Sequence, residues 1–135
     1  MTARRKARKR AVDFLYEAEM KKIDPLQLLE SRPPSELSEG DYTHTLVLGV
    51  QEHRRKIDEL ITTYAQGWDM DRMPALDRNI MRIALFEILW QGELDDQIAI
   101  DEAISIAEEI STAESSSYIN GVLGRVSMLK AAIPL

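Results

Sequence analysis

The chain of 135 residues contains no cysteine, which excludes disulfides and thiolate metal sites and points to a reducing compartment, the cytoplasm. Histidine is almost as scarce, with only His44 and His53, and no HExxH motif or glycine-rich phosphate loop occurs. No apolar run approaches the ~18 residues of a membrane span. The first residues are basic but lack the apolar core of a signal peptide. No segment alternates apolar and polar residues for long enough to predict a strand. These absences leave little room for a metal centre, a nucleotide-phosphate loop or a membrane anchor, and no cofactor is implied.

What is present is unevenly distributed charge. The net charge of −6 argues by itself against a nucleic-acid partner. Yet Arg4, Arg5, Lys6, Arg8, Lys9 and Arg10 put six positive charges and no acid in the first ten residues. The other 125 residues hold 11 bases and all 23 acids, a net −12. A basic segment set on an acidic body is an electrostatic footprint for a polyanion, unless it is only a solvated tail.

Helical periodicity bears on that choice. Ala7, Ala11, Phe14, Leu15 and Ala18 fall on one side of a helix over about 4–22, while Arg5, Lys9 and Tyr16 share the opposite side with Lys6 at its edge. The basic residues therefore belong to a helix whose other face packs. Further helices are expected over 25–30, with Asp24-Pro25 as cap and first turn, over 41–66, 75–90 and 97–110, and from 116 to about 131. Pro33-Pro34 and 35–40 read as a break and a loop, Gly67 as a helix end, and Asp71 as a turn ahead of Pro74. In the 41–66 helix, Gly49 sits in an apolar stripe and implies close approach of another helix. Residues 76–89 are apolar in almost every direction, so that helix is predicted to be a central one surrounded by the others. The fold class is all-α: a compact bundle of about six to seven helices around a buried hub, in one domain over 1–135.

Catalytic constellations are lacking. His53 lies on an apolar stripe and is read as a core histidine, and His44 as a surface one. Asp101-Glu102 and Glu108-Glu109 belong to the polar face of the 97–110 helix, and Gly121 and Gly124 are read as packing room in the last helix. The chain is not expected to be an enzyme. On the first helix, Arg and Lys supply phosphate contacts, and Tyr16 is either a stacking surface for unpaired bases or a half-buried helix residue.

Four segments in order, 4–16, 76–88, 99–107 and 118–123, resemble the NusB transcription antitermination family. They read RRKARKRAVDFLY, LDRNIMRIALFEI, AIDEAISIA and YINGVL, and the stretch 67–74, GWDMDRMP, resembles actinobacterial members. The resemblance implies a NusB-like fold and binding of the boxA element of ribosomal RNA leader transcripts. Binding would occur together with the ribosomal protein NusE, within the complex that keeps RNA polymerase from terminating. It makes Arg5, Lys6, Arg8, Lys9 and Tyr16 the expected RNA contacts. Glu87 and the acidic surface near the hub helix are expected on the NusE side. Asn120 and Gly121 are read as structural, with direct RNA contact as the alternative. Two departures bear on affinity: Ser117 stands where many relatives have a lysine, and only Lys130 supplies late positive charge. Some relatives dimerise over the first helix, so a homodimer is a further expectation. RNA cytosine methyltransferases with a NusB-like N-terminal domain are a poorer match, because the chain has neither a catalytic cysteine nor a cofactor-binding α/β unit.

Overall fold

The computed structural model describes residues 2–32 and 42–135; the expected break at Pro33-Pro34, the loop 35–40 and the helix start at Asp41 lie outside the described residues. Seven α-helices occur among the described residues: α1 (Ala3–Lys21), α2 (Pro25–Ser31), α3 (Tyr42–Glu52), α4 (Arg54–Tyr64), α5 (Ala75–Trp90), α6 (Asp96–Ile110) and α7 (Ala113–Leu129). Short side chains set several of their starts. The Thr2 hydroxyl accepts the Arg5 N–H at 3.1 Å, and Asp24 and Asp95 accept from Leu26 and Gln97 at 2.9 Å each. α1 stops where Lys22 turns left-handed (φ 56°), its N–H and that of Ile23 returning to Glu19 and Ala18.

The hub prediction holds. Asp77 and every residue from Asn79 to Ile88 are buried, and α5 packs against α1, α3, α4, α6 and α7. The apolar faces expected of α1 and α6 turn toward it: Ala7, Ala11, Phe14, Leu15 and Ala18 are buried, as are Ile100, Ala103 and Ala107. α3 approaches it closely at Gly49, where a Cβ would overlap the Phe86 ring.

Two boundaries and three packing assignments differ from the sequence reading. The expected 41–66 helix is two helices, interrupted at His53 (φ −111°, ψ 16°). Hydrogen bonds from the His53 N–H to Gly49 and from the Ile57 N–H to His53 continue across the break, so the apolar stripe runs on and periodicity cannot reveal the kink. His53 is only half-buried; its ring stacks on Trp90, centroids 3.9 Å apart, at the bundle's edge. His44, expected at the surface, is also half-buried. α7 starts three residues before the expected position because Thr112 caps it, accepting the Ser115 N–H at 3.0 Å. Gly121 and Gly124 face open space, so neither makes room for a packed helix.

Candidate nucleic-acid interface

α1 is held at both ends by arginine–carboxylate networks. Near its start, Arg8 donates from Nε to both oxygens of Glu87 at 3.0 Å and from Nη1 to Glu102 at 2.8 Å, while the Tyr42 hydroxyl donates to Glu87 at 2.5 Å. Arg8 is 3% exposed and Glu87 1%. Burial works against the Arg8 charge, but the hydrogen bond and charge of Glu87, joined by Glu102, more than offset it and raise its pKa. Burial and Glu87 together push the Tyr42 hydroxyl above its ordinary value. Near the far end, Glu19 accepts from Arg78 and from Arg82, the latter at 2.9 Å, and Arg82 reaches Asp58 of α4 at 2.8 Å. These networks span α1, α4, α5 and α6, and they fix the orientation of α1 against the hub.

This geometry corrects two of the expected assignments. Arg8 is not on the outer face: it precedes Ala11, Val12 and Leu15 by three, four and seven residues, which places it among the core positions of α1. Glu87 is not on the acidic surface: it is buried on α5 as the counter-charge of Arg8. The signal was available, since a carboxylate on a helix buried all round requires a buried partner. It was masked by the run of neighbouring bases.

The remaining expected residues are accessible along α1, Tyr16 about two turns beyond Lys9. Tyr16 is 38% exposed, and Lys6 is exposed and forms no ion pair with any described residue. Arg5 and Lys9 line the border with α6, one turn apart. There Arg5 Nε donates to Glu102 at 2.8 Å and Lys9 Nζ to Glu109 at 2.5 Å. Sequence reasoning missed these α6 partners, because a solvated polar face and a face turned toward a neighbouring helix look alike in one dimension. It also missed Arg4, whose guanidinium lies 3.9 Å over the Tyr42 ring. Asn120 and Gly121 are exposed on α7. Among the described residues no group of three His, Asp or Glu side chains is placed to hold a metal ion, and no helix is long and apolar enough to cross a membrane.

Fold and site define a class: an all-helical protein that carries a firmly buttressed basic helix on an acidic body. The family is more specific. The profile of the NusB family matches residues 5–128, and the chain belongs to that family. The transcription antitermination protein NusB of Kineococcus radiotolerans is 44% identical over 98% of this chain and 98% of its own length. That of Salinispora arenicola is 46% identical over 94% and 96%. Transcription antitermination is therefore the function class, and catalysis is not. T. maritima NusB has a TM-score of 0.85 at 30% identity, covering 95% of this chain and 92% of that one. A chain from a crystal structure of antitermination factors NusB and NusE in complex with dsRNA shares the fold, with a TM-score of 0.80 at 20% identity over 95% and 98%.

Proposed function

We propose that the chain binds single-stranded boxA RNA of ribosomal RNA leader transcripts through the exposed face of α1, and with NusE joins it to the antitermination complex of RNA polymerase. The observation that carries the reading is the placing of Arg5, Lys6, Lys9 and Tyr16 on the outer face of a helix whose inner face is clamped to the core. Cations on such a support meet phosphates at little ordering cost, and the exposed phenol ring of Tyr16 suits the face of an unstacked base. The structure of a relative with NusE and dsRNA supports RNA and NusE as partner classes. With Glu87 inside, the acidic surface left near the hub lies at the ends of α5, where Asp69, Asp71, Glu93 and Asp95 are exposed. A basic ribosomal protein complements that charge.

Fluorescence anisotropy with a boxA strand, a scrambled strand and a boxA duplex, each with and without NusE, tests the reading. The boxA strand binds most tightly and NusE strengthens it. Arg5, Lys6 and Lys9 together contribute about −2 to the log–log salt slope, at about 0.7 per neutralised phosphate of a single strand. Equal affinity for the scrambled strand, or for the duplex, would overturn the corresponding part of the proposal.

A further inference from the structure

We infer that Glu109 of α6 acts as a built-in stand-in for an RNA phosphate, occupying Lys9 in the free protein and setting how tightly RNA binds. The inference rests on the RNA reading of α1 and adds a regulating residue outside that helix.

Two of the three surface cations on the proposed face are already engaged. Arg5 is hydrogen-bonded to Glu102 and Lys9 to Glu109. The two carboxylates are seven residues apart on α6, two helical turns, and so lie on one face. Arg5 and Lys9 are four apart on α1, so that a ladder of two ion pairs runs along the α1–α6 border. A carboxylate oxygen and a phosphate oxygen ask the same of an ammonium group. For RNA to engage Lys9, Glu109 must give it up and remain beside a polyanion.

The two carboxylates are not equivalent. Glu102 also holds the buried Arg8, and its side chain is 12% exposed, so it belongs to the clamp that positions α1. Glu109 has no second ion-pair partner among the described residues, Arg5 feeling its charge only at longer range, and its side chain is 48% exposed. Glu109 can leave Lys9 without disturbing the core, whereas Glu102 cannot leave Arg5 and Arg8 so freely. Lys6, with no ion pair to release, is the cation that meets RNA without competition.

The test is RNA binding by the full chain, read by anisotropy across a salt series with a boxA single strand. The variants are Glu109→Gln, Lys9→Ala, the two combined, and Glu108→Gln as a neighbouring exposed carboxylate that makes no ion pair with a described residue. Glu109→Gln is expected to bind about threefold more tightly, the order of one exposed ion pair. Its log–log salt slope should steepen by about 0.7 as Lys9 becomes a free cation. The gain should be absent from Glu108→Gln and lost in the Lys9→Ala background. A wild type that binds, with Glu109→Gln binding no better, leaves the RNA reading standing and removes the counter-ion role. An equal gain from Glu109→Gln with and without Lys9, or from Glu108→Gln, reduces Glu109 to part of the general acidic field. If neither wild type nor Glu109→Gln binds, the RNA reading fails and this inference fails with it.

Discussion

At the scale of single residues, stability turns on groups that composition cannot rank. Removing Arg8 leaves Glu87 with no cation in the interior and Glu102 with Arg5 alone. Arg8→Met is therefore expected to cost about 3–5 kcal/mol in a urea unfolding titration, the usual penalty for stranding a buried charge. A loss below 1 kcal/mol would mean that the pair is hydrated and loosely held. The glycines separate in sign. Gly49→Ala drives a methyl group into the Phe86 ring and should lose about 1–3 kcal/mol. Gly121→Ala meets open space within a helix and should gain up to about 1 kcal/mol from helix propensity. Gly49 was readable because it falls on the stripe that carries Leu46, Val50 and Ile57. Gly121 and Gly124 were misread because spacing fixes a face but not what stands opposite it.

At the scale of elements, most of the helices were legible. The limits of α5 agree at both ends, since Pro74 and Gly92 bracket a largely apolar segment with no internal proline or glycine. The start of α7 was missed because its cap is sealed by tertiary partners: the hydroxyls of Ser111 and Ser115 donate to buried Asp77 at 2.8 and 2.7 Å. The clamp at the far end of α1 has a pH signature. Burial would raise the Glu19 pKa, but hydrogen bonds from Arg78 and Arg82 outweigh it and leave the folded value below the ordinary one. A depressed folded pKa gives stability that is in force above the ordinary carboxylate pKa of about 4.3 and fades as pH falls toward the folded value. Glu19→Gln should thus lower the melting temperature at neutral pH, and its deficit should shrink below about pH 4. Thermal melts followed by circular dichroism across that range would check this; a deficit independent of pH would assign the loss to packing instead.

At the scale of the whole molecule, the segregation of charge was the part of the site most open to sequence reading, and its internal pairing the least. Six bases in ten residues read as one basic segment. The fold divides them, placing Arg8 in the core, Arg4 on an aromatic ring, and Arg5 and Lys9 against α6. Which base met which acid depended on contacts about a hundred residues apart in the chain, beyond the reach of any local pattern. What survives is a firmly held helix with a limited set of cations and one ring turned outward. Lysine footprinting by acetylation and mass spectrometry, with and without saturating boxA RNA, tests that claim most directly. Lys6 and Lys9 should lose reactivity when RNA is added, while Lys56 and Lys130 react as before. Lys6 and Lys9 remaining as reactive with RNA as without it would contradict the account.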